Sequence, residues 1–221
     1  MAETHDTVFL FDVDNTLLDN EQIQVDLDTY LTEHFGDAVR VEYRRIFEEH
    51  REKLGYADYL GALERYRDEH LHDPAVPRMA NWLVDYPFSD RLYPGALDAV
   101  AHAARLGHTV ILSDGDAVFQ PRKVYRSGLW RLFNDHVLIY IHKERELAEV
   151  ERLYPARHYV MIDDKPRIID AVKRTWGHRV TTVFVRQGRY ALDPTTPADL
   201  LPGDRTIERI GDFPGLDLAR G

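Results

Sequence analysis

The sequence predicts an α/β protein: a parallel sheet with helices on both faces, interrupted by an inserted all-helical segment. Three observations carry this. Five short apolar runs rich in Val, Ile, Phe and Tyr alternate with stretches of helical spacing. Three of those runs end abruptly in carboxylates. One long stretch, residues 18–90, shows helical spacing and no strand-like run.

The first run, THDTVFLFDVD (4–14), reads as a buried parallel strand whose polar residues begin at its carboxyl end. HTVILSD (108–114), HVLIYI (136–141), HYVMID (158–163) and VTTVFV (180–185) repeat the pattern. Between them, Leu97, Val100, Ala101 and Ala104 fall at i, i+3, i+4 and i+7, with Pro94 before that helix and Gly107 past it. Leu147, Val150 and Tyr154 repeat the spacing before Pro155, as do Ile169, Val172 and Trp176 before Gly177. Strands alternating with helices of this length imply right-handed crossovers and a doubly covered sheet. After Gln187 only TIERI (206–210) resembles a further, edge strand.

Residues 18–90 hold four helical patterns: Ile23 to His34 ending at Gly36, Tyr43 to Leu54 ending at Gly55, Tyr56 to Tyr66, and Met79 to Tyr86 ending at Pro87. The expected organisation is a core of residues 1–17 and 91–221 with a helical cap at 18–90. The insertion carries 17 acidic and 8 basic side chains, a net of −9, so it holds nearly all of the chain's net charge of −10. Solvated helix faces explain that excess, and it argues against a polyanion such as nucleic acid as partner. The chain has no Cys, which excludes Cys-ligated zinc, Fe–S clusters and thiol catalysis. With no leader-like or membrane-spanning apolar run, the expectation is a soluble, cytoplasmic protein that binds no membrane. Its oligomeric state is left open.

Ligands of an open parallel sheet bind outside the carboxyl ends of its strands. Asp12 and Asp14 follow the first strand, Asp114 and Asp116 the second, Asp163 and Asp164 the fourth. Carboxylates gathered in one crevice raise one another's pKa and cannot all stay ionised unless a cation joins them. Hard oxygen donors, without Cys or an HExxH pair, point to Mg²⁺ rather than zinc. No Walker-type or GxGxxG loop and no GxSxG elbow occurs, which removes nucleotide-cofactor and serine-hydrolase readings.

FDVDNTLLDNE (11–21) resembles the Asp-x-Asp-x-Thr/Val signature of the haloacid dehalogenase-like (HAD) superfamily. The other family elements follow in order: TVILSDGD (109–116) supplies Ser113, YIHKERELAEV (140–150) supplies Lys143, and YVMIDDKP (159–166) supplies Asp163 and Asp164. The resemblance covers residues 7–185, and the family places its helical cap between the first two motifs. It implies a Rossmann-like core and a Mg²⁺-dependent phosphatase acting on a small phosphorylated metabolite. It also implies roles. Asp12 attacks phosphorus and becomes an aspartyl phosphate, and Asp14 protonates the leaving oxygen and then activates water. Ser113 and Lys143 hold the phosphoryl oxygens. Mg²⁺ meets Asp12, the carbonyl of Asp14 and the Asp163/Asp164 pair, with Asp164 as the direct ligand and Asp163 behind it or joined through water.

Two departures stand out. The usual Gly-Asp of the last motif is Asp163-Asp164 here, and Glu144 rather than Pro follows Lys143. Lys123, in QPRKVYRSGLW (120–130), is the rival lysine, and its place inside a helix reads as a surface lysine with its stem laid along the protein. Lys165 could reach the acids as a charge partner, although Pro166 starts a helix there. The dehalogenases of the family carry an aromatic residue at the position of Asp14, so phosphoester hydrolysis is favoured over C–Cl hydrolysis. A sugar-phosphate mutase and a noncatalytic phosphate- or protein-binding module are the alternatives. Tyr56, Tyr59 and Tyr66 read as a packing stripe, His70 and His72 as surface residues of a helix, and Arg44 and Arg45 as solvated.

Overall fold

A computed structural model describes residues 4–218, so the outer ends of the 1–17 and 91–221 spans lie outside the described residues. Among the described residues the sheet has six parallel strands: β1 (His5–Phe11), β2 (His108–Asp114), β3 (Val137–Tyr140), β4 (Ala156–Asp163), β5 (Val180–Val185) and β6 (Arg205–Ile207), in the order β3-β2-β1-β4-β5-β6. The direction of winding reverses between β1 and β4, which opens a crevice at their carboxyl ends. The register sets the acids beside each other: Phe11 aligns with Ile162, and the Asp12 amide donates to the Ile162 carbonyl at 3.0 Å.

The continuous apolar strands are explained by burial on both faces. Val8 and Leu10 of β1 pack with Val110, Met161 and Trp176 on one side. Phe9 and Phe11 point to the other side, into a cluster with Ile111, Val160 and Phe213.

Four helices fill the insertion: α1 (Asn20–Phe35), α2 (Asp37–Leu54), α3 (Tyr59–Glu69) and α4 (Ala75–Asp85). Asp19 caps α1 by accepting from the Gln22 amide at 2.9 Å, Asp58 caps α3 by accepting from Gly61 at 2.8 Å, and α2 stops at Gly55 with φ +81°. The remaining helices are α5 (Ala96–Leu106), α6 (Phe119–Arg126), α7 (Leu129–Leu132), α8 (Leu147–Leu153), α9 (Pro166–Trp176) and α10 (Gly188–Ala191). Tyr59 of α3 meets Phe119 of α6 with ring centroids 5.0 Å apart, so the insertion and the sheet share one apolar cluster. Arg122 and Arg126 of α6 add donors to the carbonyls of Val84 and Asp85 at the end of α4.

Three sequence expectations need correction. The apolar stripe of α5 is Ala96, Ala99, Val100 and Ala103, whereas Leu97, Ala101 and Ala104 are exposed. Small side chains suit the close approach there: a Cβ on Gly95 (φ +83°) would lie 2.6 Å from the Gly211 Cα. His70 and His72 follow α3 in a turn rather than lying within a helix, and Tyr56 precedes α3. The third, and the most consequential, is Lys123, which is buried.

At the opposite, amino end of the sheet, His108 stacks on His5 at 4.3 Å and touches His136 at 4.2 Å. Burial, then His136 and His5, push its pKa down from 6.5 to about 4. The folded state keeps it neutral while the unfolded chain protonates it near 6.5. Its contribution is complete above that value and is lost as pH falls toward 4. His108→Gln is expected to flatten the decline in melting temperature between pH 6.5 and 4. A variant as acid-sensitive as the parent would contradict the assignment.

Candidate active site

The carboxyl rim gathers the motif residues. Asp12, Lys143, Asp163 and Asp164 are all essentially buried. Lys143 enters through a short helical turn after β3, where its amide donates to Asp114 Oδ1 at 2.8 Å. Its ammonium lies 2.5 Å from Asp12 Oδ1, 2.6 Å from Asp163 Oδ2 and 3.2 Å from the Leu112 carbonyl. Ser113 ends the same strand as Asp114, and its Oγ accepts from Gln120 Nε2 at 3.0 Å. Lys165 stands 3.6 Å and Arg167 3.4 Å from Asp114 Oδ2.

The two adjacent acids differ. Asp163 Oδ1 accepts from the Lys165 amide at 2.8 Å, and its Oδ2 has the ion pair with Lys143 at 2.6 Å but no hydrogen bond among the described residues. Among the described residues, both oxygens of Asp164 and Oδ2 of Asp12 are buried with no hydrogen-bond partner. Ligand atoms of Asp12, Asp163 and Asp164 fall within 4.8 Å of one another.

Four buried carboxylates, Asp12, Asp114, Asp163 and Asp164, thus face two buried ammonium groups, Lys143 and Lys165, with Arg167 reaching Asp114 from the surface. Charge is left over, and it appears in the acids. Burial raises Asp12 to about 6, Asp163 adding to the effect against Lys143 and Lys165. Burial, Asp163 and Asp12 push Asp164 well above the carboxylate range. Asp114 is also buried, yet Lys143, Lys165 and Arg167 together hold it below the ordinary value. Burial alone would lower the pKa of Lys143, but Asp12, Asp163 and Asp114 hold it above the usual lysine range. Orphaned hard oxygens in an excess of negative charge are the donor set a divalent cation needs, so the residues present fit Mg²⁺. Asp12 and Asp164 would hold it.

Asp14 stands apart from that cluster. Its carboxylate pairs with Lys123, whose Nζ is 2.7 Å from Oδ1 and 2.9 Å from Oδ2. Lys123 is 1% exposed, so the surface reading fails. Helical periodicity showed only that this lysine shares a face with Phe119 and Gln120; that the face packs against the Asp14 turn is a tertiary fact. Gln120 and Asn20 were missed likewise, and the one available signal was the i, i+3 spacing of Gln120 and Lys123.

Asp14 and Asp114 line a cleft between the insertion and the core, together with Arg51 and Tyr56 of the insertion and Arg189 and Tyr190 of the core. Arg51 and Arg189 share Glu48, at 2.5 and 3.8 Å. Arg44 is held by Asp28 and Gln24, and Arg45 by Glu42, Glu49 and Glu69.

A six-stranded parallel sheet with buried acids at its carboxyl rim defines a Rossmann-like α/β protein with a candidate catalytic site at that rim. The family model for haloacid dehalogenase-like hydrolases matches residues 7–175, and the chain belongs to that family. A haloacid dehalogenase-like hydrolase from Burkholderia xenovorans LB400 is 56% identical, with a TM-score of 0.92 over 96% of this chain and 97% of that one. Two more distant structures share the fold. The L-2-haloacid dehalogenase of Xanthobacter autotrophicus with chloropropionic acid covalently bound is 20% identical, with a TM-score of 0.62 over 95% of this chain and 97% of that one. The HAD-hydrolase YfnB of Bacillus subtilis, bound to magnesium, is 16% identical, with a TM-score of 0.63 over 95% and 97%. No curated protein matches. Among the described residues no helix is long and apolar enough to cross a membrane.

Proposed function

We propose that this hydrolase is a cytoplasmic, Mg²⁺-dependent phosphatase of a small phosphomonoester, with the core at 1–17 and 91–221 and a helical cap at 18–90. The observation that carries this reading is the placement of Asp14. Its carboxylate opens onto the cleft two residues after Asp12, where a leaving oxygen that needs a proton would sit.

In this reading an Asp12 oxygen attacks phosphorus in line, and the ester oxygen leaves with a proton from Asp14. Lys143 and Ser113 neutralise and orient the phosphoryl oxygens. Water then attacks the aspartyl phosphate, giving its proton to Asp14 and freeing Asp12 and inorganic phosphate. Asp12, Asp164 and the Asp14 carbonyl would hold Mg²⁺, which when bound would supply charge neutralisation for the phosphoryl group. Asp163 is already committed to Lys143 and serves from behind. Asp12 is buried, and in this reading movement of the cap admits substrate and excludes water.

The test is hydrolysis of p-nitrophenyl phosphate and of a panel of phosphorylated metabolites with and without Mg²⁺, beside chloride release from 2-chloropropionate. Mg²⁺-dependent phosphate release is expected. Chloride release in its absence would overturn the reading.

Asp164→Asn separates the metal from the fold. Without metal the variant is expected to melt at or above the parent temperature, because a buried, unpartnered acid is gone. Added Mg²⁺ should raise the melting temperature of the parent and leave that of the variant unmoved. An equal rise in both would remove Asp164 from the ligand set.

A further inference from the structure

We propose that Lys123 is a positioning residue for Asp14, orienting its carboxylate for the water that cleaves the covalent intermediate; the inference rests on the phosphatase reading above. Three observations support it. Lys123 Nζ contacts both oxygens of Asp14, at 2.7 and 2.9 Å, and the Asn20 Oδ1 at 3.0 Å. The ammonium lies 5.5 Å from the Phe119 ring centroid and 5.9 Å from that of Tyr59, so aromatic walls from the core and the insertion enclose it. Lys123 is 1% exposed while the Asp14 side chain is 18% exposed, so the lysine grips the carboxylate from the buried side and leaves its open side on the cleft.

The same helix does the same for Ser113. Gln120, one turn before Lys123, donates to the Ser113 Oγ. A Cβ on Gly115 would lie 2.5 Å from the Gln120 Cβ, so the bare backbone of Gly115 lets α6 pack against the end of β2. The pattern Gln120-x-x-Lys123 thus presents two side chains from one helical face to two residues of the site. A carboxylate free to rotate would spend little time aimed at water, and proximity catalysis is lost with that freedom. In the step concerned, the water oxygen bonds to phosphorus, the bond from phosphorus to the Asp12 oxygen breaks, and the water proton passes to Asp14.

Rapid-mixing kinetics with p-nitrophenyl phosphate test this, because its leaving group departs without a proton donor. For K123M the first turnover is expected to survive, whereas steady-state release falls by about tenfold to a hundredfold. Acid-quenched phosphoenzyme should accumulate accordingly. K123R should restore most of the turnover, and K123M should add nothing in a D14N background. K123Q keeps a donor in the pocket and guards against a K123M chain that fails to fold; it should show weaker accumulation. Parent-like turnover in K123M, slowing without phosphoenzyme, or a full loss added to D14N would each overturn the assignment. If the parent turns over no phosphoester, the phosphatase reading falls and this inference falls with it. If the parent is active and K123M behaves like it, only the inference falls.

Discussion

Asp12→Asn is expected to abolish phosphomonoester hydrolysis, by more than about a thousandfold, while leaving a folded protein. The carboxamide offers no anionic oxygen to attack phosphorus, and it replaces one of the proposed metal ligands with a weaker one. The fold should tolerate the change because Lys143 keeps Asp163 at 2.6 Å and the Leu112 carbonyl at 3.2 Å. Circular dichroism should therefore match the parent while p-nitrophenyl phosphate turnover disappears. Turnover that survives removes Asp12 as the nucleophile. Running the parent in ¹⁸O-labelled water separates the alternatives: a phosphatase places the label in released phosphate, a mutase does not, and a noncatalytic binder releases none.

Lys143→Met should have the largest effect on stability. The lysine is the shared cation of Asp12 and Asp163, and neither acid has another side-chain cation within salt-bridge distance among the described residues. Removing one partner from a buried ion pair costs about 3–5 kcal/mol, since the charge left behind cannot be rehydrated. For a chain of 221 residues that corresponds to a fall of about 10 °C in melting temperature. Activity should be lost as well, because the cation that faces the phosphoryl group is gone. Methionine keeps the volume of the stem, so a deficit of this size would be electrostatic rather than a cavity effect. A melting temperature within 2–3 °C of the parent, corresponding to about 1 kcal/mol, would show that the carboxylates are neutralised in some other way.

Local patterns made most of the frame legible. The runs at 108–114 and 180–185 match β2 and β5 residue for residue, and the four helical patterns of the insertion match α1 to α4 with boundary shifts of up to six residues, the largest at the start of α2. Strands buried on both faces announce themselves as continuous apolar runs, and Gly36, Gly55 and Gly107 mark helix ends because few other residues stop a helix as readily. The α5 stripe misled by one position. A helix rich in Ala carries several equally apolar faces, and which one is buried was decided by the close approach of Gly95 and Gly211.

For the site, the sequence by itself determined which acids stand at the strand ends, since the ends of apolar runs can be read directly. It also determined that Asp12, Asp14, Asp163 and Asp164 share one rim, because parallel topology aligns carboxyl ends. Only the tertiary structure decided how cations are distributed among them. Lys143 meets Asp12 across 131 residues of chain, and Lys123 meets Asp14 across 109. Only the fold, again, left Asp164 unpartnered while committing Asp163 to Lys143. Periodicity reports which residues share a face of one element. It carries no information about which distant charge that face will meet, and the electrostatics of a buried site depend on that meeting.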